Sequence, residues 1–124
     1  YPGTNTTATA PTLAVPAIGQ SSLFVDGGGF PGTDITGDGG IGARYYVVTL
    51  GSAATLTLTA DWSNTADIDI VVCDDTACTN GDFAAASGNK PESHAYALGA
   101  GTWYIALVHW AGTAPVYTTL KIAR

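Results

Sequence analysis

Apolar and polar side chains alternate along much of the chain. The clearest case is residues 55–62, where leucine, alanine and tryptophan occupy the even positions and threonine or aspartate the odd ones. Further apolar or alternating runs lie at residues 45–50, 67–73, 94–98, 102–110 and 116–122. A period of two is typical of half-buried strands, and glycine, serine and asparagine turns separate the runs. The pattern predicts an all-β protein, an antiparallel β-sandwich formed by a single domain.

The first 22 residues depart from this alternation. They are rich in threonine and alanine and carry prolines at positions 2, 11 and 16. Proline is tolerated at the edge of a sheet and not at its centre. We therefore expect an extended N-terminal arm or a first edge strand over residues 1–22, and the sandwich over residues 23–124. The glycine-rich residues 26–42 predict an irregular loop between them.

Charge excludes several classes of partner. Only 11 % of the 124 residues are charged, and ten acidic against four basic residues give a net charge of −6. Nucleic acid demands a basic surface, so we expect no nucleic-acid partner. No apolar run approaches the ~20 residues of a membrane helix, so we expect no membrane span. Because the chain begins at Tyr1 and contains no methionine, we expect a processed form of an exported protein, extracellular or on the cell surface.

Several segments, in order, resemble the bacterial pre-peptidase C-terminal domain family. The segments are Asn5–Ala10, Tyr45–Leu50, the Leu-Thr-Leu-Thr run before Asp61-Trp62, Ala66–Ile70, Pro91–Ser93, Gly101–Ile105 and Tyr117–Ile122. Each is short, but together they span nearly the whole chain. The resemblance implies a jelly-roll-like β-sandwich that is secreted, non-catalytic and often appended to extracellular peptidases. Some members bind calcium, and some bind collagen or other polymers.

A calcium site is expected in the glycine-rich loop. Asp34, Thr36, Asp38 and Gly39 follow the start of a calcium-loop motif, in which closely spaced oxygens turn toward one hard cation. The resemblance also points to the region before residue 45. Asp26, Asp34 and Asp38 are therefore the candidate ligands, with Asn5 a more distant one. The alternative interpretation is a loop whose aspartates only cap turns.

Cys73 and Cys78 are the only cysteines. A thiolate metal site normally needs four ligands, and no second cysteine pair exists. In an exported chain we expect a local disulfide between them. A ring of this size stiffens a loop more than it holds the fold.

Residues 102–110 carry apolar side chains on both sides of the expected strand. Trp103, Ile105 and Leu107 fit the core side. The opposite side has no charged group, although a side that meets water should be polar. We assign Tyr104, Val108 and Trp110, together with Tyr117, as candidate binding or assembly residues. Either another chain or ligand covers this second face, or the arm or the glycine-rich loop of the same chain does.

Catalysis is not expected. Asp67 and Asp69 share one face of a strand, about 7 Å apart, but nothing else converges on them. His94, His109 and scattered serines lack a G-x-S-x-G nucleophile motif.

Two functions are therefore expected for this secreted protein. The first is a structural subunit of an extracellular assembly such as a filament, tubule or surface layer, with copies of itself as partners. The alternative is an accessory module of a secreted hydrolase that binds a protein or polysaccharide polymer.

Overall fold

The computed structural model describes residues 7–26, 42–78, 81–112 and 117–124, and eight strands account for most of them. The strands are β1 (Ser21–Asp26), β2 (Gly42–Leu50), β3 (Ala54–Trp62), β4 (Asp67–Cys73), β5 (Asp82–Ala85), β6 (Glu92–Leu98), β7 (Gly101–Ala111) and β8 (Thr118–Ala123). One turn of 3-10 helix, Thr7–Thr9, precedes them. In the described part of the chain, no helix is long and apolar enough to cross a membrane.

The strands form two four-stranded antiparallel sheets. Sheet A has the order β2-β7-β4-β5, and sheet B has the order β1-β8-β3-β6. Consecutive strands alternate between the two sheets, except for β4 and β5, which are neighbours in sheet A, and this is the connectivity of an eight-stranded jelly roll. The expected all-β, jelly-roll-like antiparallel β-sandwich is confirmed.

The core lies between the sheets because alternate residues of every long strand point inward. It consists of Leu13, Phe24, Tyr46, Val48, Leu50, Leu56, Leu58, Ala60, Trp62, Ala66, Ile68, Ile70, Val72, Ala85, Tyr96, Leu98, Ile105, Leu107, Leu120 and Ile122. Trp103 packs against it from a half-buried position. The even positions of β3 and the core side assigned to β7 are therefore as the alternation predicts.

The N-terminal arm pairs within its own chain. The Leu13 N–H donates to the Val47 carbonyl at 2.8 Å, and the Val47 N–H donates to the Pro11 carbonyl at 2.9 Å, so the arm adds to the free edge of β2. Leu13 enters the core and is 1 % exposed. Two further backbone bonds tie Gly19 and Gln20 to Arg124 beyond the end of β8. The arm thus leads from the edge of sheet A to sheet B, where residue 21 opens β1.

Candidate functional site

The outer face of sheet A is buried. Its apolar side chains form a second cluster with Cys78, and all of its fully buried members are at most 5 % exposed. The cluster consists of Ala43, Tyr45, Val71, Cys73, Cys78, Ala106 and Val108, with Ala10 and Tyr104 packed against it from half-buried positions. Ala10 belongs to the arm, so residues of the same chain help to cover this face. In the part of the chain that the structure describes, residues of the same chain therefore cover the apolar face, as the second of the two interpretations proposed.

Cys73 and Cys78 form the expected disulfide. Cys73 ends β4, and the ring returns Cys78 onto the outer face of sheet A, where both sulfur-bearing side chains are buried. Thr7 Oγ1 donates to the Thr76 carbonyl at 2.6 Å, which joins the start of the arm to this loop. The arm and the disulfide loop thus form one connected cover.

The four candidate binding residues do not share one surface. Val108 is 4 % exposed and Tyr104 is half-buried in the outer cluster of sheet A. A partner docking on that face would have to displace the chain's own cover, so Val108 is a packing residue. Trp110 and Tyr117 are exposed, at 40 % and 56 %. Trp110 lies near the end of β7 in sheet A, whereas Tyr117 directly precedes β8 in sheet B and is bonded to Ser63 through its backbone N–H and carbonyl.

The outer face of sheet B is exposed by contrast. We call it the open face. It consists of the outward positions Ser21, Leu23, Val25, Thr55, Thr57, Thr59, Asp61, Ser93, Ala95, Ala97, Thr119, Lys121 and Ala123. None of these residues is buried, and Leu23 and Val25 are 62 % and 52 % exposed. This face leaves no signal in the sequence, because its threonines and alanines match an ordinary solvated side of a strand.

Hydroxyl and charged groups line up across the open face. The strand register places Leu23 beside Lys121, Lys121 beside Thr59 and Thr59 beside Ser93. The Thr59 and Ser93 hydroxyls are 2.7 Å apart and share a hydrogen bond. At the next row, Asp61 forms an exposed ion pair of 3.3 Å with Lys90, whose ammonium also lies 5.6 Å from the Trp62 ring centre. The row offers both donors and acceptors at the spacing of neighbouring strands.

One of the expected calcium ligands is described by the structure. Asp26 ends β1, is 2 % exposed, and accepts a hydrogen bond of 2.9 Å from the Tyr46 hydroxyl to its Oδ2 atom. This bond connects β1 of sheet B to β2 of sheet A. Asn5, Asp34 and Asp38 lie outside the described residues. Among the described residues no group of three or more histidine, cysteine, aspartate or glutamate side chains could hold a metal ion.

The pKa of the Asp69 carboxyl departs clearly from the ordinary value of an aspartate. The pKa of this carboxyl is raised from 3.8 to about 6, first because burial disfavours the charged form and then because the carboxylates of Asp67 and Glu92 do the same, while a hydrogen bond from the Ser87 backbone N–H acts in the opposite direction. The sequence predicts that Asp67 and Asp69 share one face of a strand. The approach of Glu92 and Ser87 is a consequence of the sandwich and leaves no signal in the local sequence.

Three solved structures share this fold. The pre-peptidase C-terminal domain of a collagenase from Bacillus anthracis has a TM-score of 0.62 and 11 % sequence identity, covering 92 % of this chain and 92 % of that chain. The PliG proteins of Aeromonas hydrophila and Salmonella Typhimurium, periplasmic lysozyme inhibitors of g-type lysozyme, have TM-scores of 0.54 and 0.50. Their identities are 15 % and 10 %, with 92 % of this chain and 95 % and 96 % of those chains covered.

The sequence matches no protein-family model and no curated protein. At the identities given by the solved structures, the likeness shows the fold. The resemblance drawn from the sequence is confirmed at that level. The chain has the fold of a pre-peptidase C-terminal domain.

Proposed function

We propose that the chain is a non-catalytic accessory module of a secreted protein and binds an extracellular polymer, protein or polysaccharide, through the open face. The observation that carries this proposal is the difference between the two outer faces. One is apolar and covered by the chain's own arm and disulfide loop, and the other is polar and exposed. A partner can bind to the exposed face without any rearrangement of the domain, whereas binding to the apolar face would require displacement of its cover.

The chemistry of the open face suits a polymer rich in hydroxyl or amide groups. Lys121 supplies a donor, and the Thr59–Ser93 pair supplies both donors and acceptors in the same row. Leu23 and Val25 add exposed apolar area at the β1 edge. Small side chains elsewhere on the face leave it without tall obstructions, so an extended polymer can approach several rows at once.

The fold and the disulfide agree with an accessory, exported role. The same fold occurs in the collagenase domain and in the two periplasmic lysozyme inhibitors named above, which is an analogy at the level of fold. The Cys73–Cys78 disulfide is typical of oxidising compartments outside the cytosol. These observations support localisation outside the cell or in the periplasm.

The structural-subunit function loses two of the features on which it rested. An arm that reaches a neighbouring copy would have favoured it, but Pro11, Leu13, Gly19 and Gln20 bond to β2 and to Arg124 of their own chain. Cover by a neighbouring copy was one of the two interpretations of the face that carries Tyr104 and Val108, and that face lies in the cluster on which Ala10 of the same chain packs. Self-association through the open face remains the second candidate function, because Leu23 and Val25 are exposed there.

The environments of the two histidines support a non-catalytic function. His109 is 1 % exposed in the interior. The His94 ring packs edge-on against Tyr96, with 4.8 Å between ring centres. A general base must reach a substrate; the burial of His109 opposes this, and the half-buried His94 ring is packed against Tyr96.

Calcium binding stays a proposal for the loop that follows β1. Asp26 is the described member of the expected ligand set and ends β1, where the loop begins, and six to eight oxygens surround a bound calcium ion. Asp34 and Asp38 would have to supply most of the remaining protein ligands. A higher melting temperature in calcium than in chelator, lost in Asp38→Asn, is the expected result. Equal melting temperatures would exclude the site.

Co-sedimentation with insoluble collagen, cellulose and chitin tests the polymer-binding proposal. We expect the chain to sediment with at least one of them, and Thr57→Lys, which places a long side chain at the centre of the open face, to lose that binding. Thr76→Lys is the matched control, because it makes the same change at an exposed position of the disulfide loop. No sedimentation with any probe, or equal binding by both variants, would contradict the proposal. A dimer on size-exclusion chromatography that Thr57→Lys abolishes would favour self-association instead.

A further inference from the structure

The Cys73–Cys78 disulfide is buried although the loop that it closes lies at the surface. Cys73 is 0 % exposed and Cys78 is 4 % exposed, whereas residues 74–77 between them are exposed or half-buried. Both cysteines belong to the outer cluster of sheet A, and Ala10 of the N-terminal arm packs on that cluster. A reductant has to reach a sulfur atom, so access to this disulfide depends on the cover of the outer face.

The arm crosses the outer face of sheet A beside the disulfide. Leu13 is bonded to Val47 of β2 at 2.8 Å. At the other end of the crossing, Thr7 Oγ1 donates to the Thr76 carbonyl at 2.6 Å, and Thr76 lies inside the disulfide loop that follows β4. Strand β7 lies between β2 and β4 in the sheet. The arm therefore passes over β7 from the β2 edge to the disulfide loop.

The arm is attached to sheet A more weakly than the strands are attached to one another. In the part of the chain that the structure describes, it pairs with β2 through one isolated bridge, between Thr12 and Val47. By comparison, β7 pairs with β2 along all nine residues of that strand. Segments with few backbone hydrogen bonds open at a lower free energy than core strands do. We therefore expect the arm to leave the sheet while both sheets stay folded.

We propose that the arm controls reduction of the Cys73–Cys78 disulfide. A dithiol reaches the sulfur atoms when the arm leaves the outer face of sheet A, and it is excluded while Leu13 and Thr7 hold the arm in place. The rate of reduction is then the intrinsic rate multiplied by the fraction of time that the arm is open. This control is independent of the proposed polymer binding, which uses the opposite face of the sandwich.

The reduction itself is a thiol–disulfide exchange. A thiolate of the dithiol attacks one cysteine sulfur, the bond between the two cysteines breaks, and the other cysteine leaves as a thiolate. The second thiol of the reagent then attacks the mixed disulfide and releases the first cysteine. Two electrons pass to the protein, which gains two thiols after protonation, and the reagent becomes a cyclic disulfide.

Reduction of the whole chain by dithiothreitol, stopped by alkylation and measured by mass spectrometry, tests the proposal. The reference is an oxidised synthetic peptide of residues 71–80, which carries the same two aspartates beside the cysteines and therefore the same repulsion of an anionic thiolate. We expect slower reduction in the protein than in the peptide. Equal rates would show that the arm gives no protection, and would overturn the proposal.

Leu13→Ala and Leu58→Ala distinguish opening of the arm from unfolding of the whole domain. Both leucines are core residues, at 1 % and 0 % exposure, but Leu58 belongs to β3 in sheet B. Leu13→Ala should speed reduction by about tenfold or more, because the cost of its cavity falls on the docked arm. Leu58→Ala should be reduced at close to the rate of the parent. Acceleration of both in proportion to their loss of stability in urea would mean that reduction requires global unfolding, and would overturn the proposal.

Thr7→Val gives a milder change that should leave the fold intact. It removes the hydroxyl that bonds to Thr76 and keeps the shape of the side chain, so reduction should become about twofold to tenfold faster. Thr57→Val is the matched control, a half-buried threonine on the open face, and should leave the rate unchanged. If Leu13→Ala does not fold, this pair decides, and equal rates for the two variants would refute control by the arm.

Discussion

The outer faces of the two sheets follow the same alternation of inward and outward side chains, but the outer face of sheet A is covered and that of sheet B is exposed. On sheet A the outward positions of β2, β4 and β7 are apolar, and Ala10 and Cys78 of the same chain pack on them. On sheet B the outward positions are mostly threonine, serine and alanine, and they are exposed or half-buried. An apolar outer face gains free energy from any cover, whereas a hydroxyl-lined face gains little and keeps its hydrogen bonds with water.

The difference assigns separate tasks to the two faces. Because the arm and the disulfide loop pack on the outer face of sheet A, the contacts on that face contribute to the stability of the domain. Exposure makes sheet B the face that can meet a partner without any rearrangement. Changes on the covered side should therefore alter stability, and changes on the open face should alter binding while stability stays nearly constant.

The largest effect is expected in the arm. Leu13→Ala should destabilise the protein by about 2–5 kcal/mol, because it leaves a cavity at a core position that is 1 % exposed. Leu23→Ala, the matched change on the open face at 62 % exposure, should cost less than about 0.5 kcal/mol. Urea denaturation of both variants measures the two values. Equal losses would show that the arm does not contribute to the core as described.

The disulfide should have the next largest effect. Replacing both Cys73 and Cys78 by alanine should lower the free energy of unfolding by about 2 kcal/mol, the value for a small ring in the chain-entropy account. The variant should also expose the outer cluster of sheet A, because Cys78 packs on it. Thermal denaturation and the fluorescence of a hydrophobic dye measure the two effects. A variant as stable as the parent would contradict the role given to the loop as a cover.

Acidic pH should favour the folded state through Asp69. Its folded-state pKa of about 6 lies above the unfolded value of 3.8, so its stabilising contribution is complete below pH 3.8 and is lost as the pH rises through about 6. Asp69→Asn should therefore be more stable than the parent at pH 8 by about 1–2 kcal/mol, with allowance for solvent screening, and should lose this advantage at pH 4. Melting temperatures across that range check the sign, and Asp61→Asn is the control. A constant difference at all pH values would refute it.

The smallest effect on stability is expected on the open face. Thr57→Lys should change the free energy of unfolding by no more than about 0.5 kcal/mol, because it alters a half-buried surface position and no core contact. Circular dichroism during thermal denaturation measures this change. A loss of several kcal/mol would mean that the open face is a packing surface and that any loss of polymer binding reflects unfolding.

Much of the fold could be predicted from local sequence. The alternation in residues 55–62 and 67–73 predicted strands β3 and β4 closely, since a period of two over seven or more residues has few other solutions. Strand β5 was missed because it has only four residues at a sheet edge, too few for a period to show. Whether the arm pairs within its own chain or with another chain could not be predicted from the sequence, because both use the same backbone hydrogen bonds.

The candidate site could be predicted only in part. Cys73 and Cys78 are close in sequence, so their disulfide followed from spacing and context. Val108 was assigned to binding because an apolar outward position looks the same whether its cover is a partner or its own chain. The open face, and the approach of Ser87 and Glu92 to Asp69, bring together segments that are distant in sequence, and only the three-dimensional arrangement of the sheets makes them neighbours.

Hydroxyl-radical footprinting, with and without the polymer that co-sediments, measures the accessibility of both outer faces in one experiment. Without polymer, we expect strong labelling of Leu23 and Val25 on the open face and weak labelling of Tyr45 and Val108 beneath the cover, in line with their exposure. With polymer, Leu23 and Val25 should become protected while Trp110 stays unchanged. Strong labelling of Tyr45 and Val108 in the free chain, or protection that falls on Trp110 and leaves the open face labelled, would contradict the account.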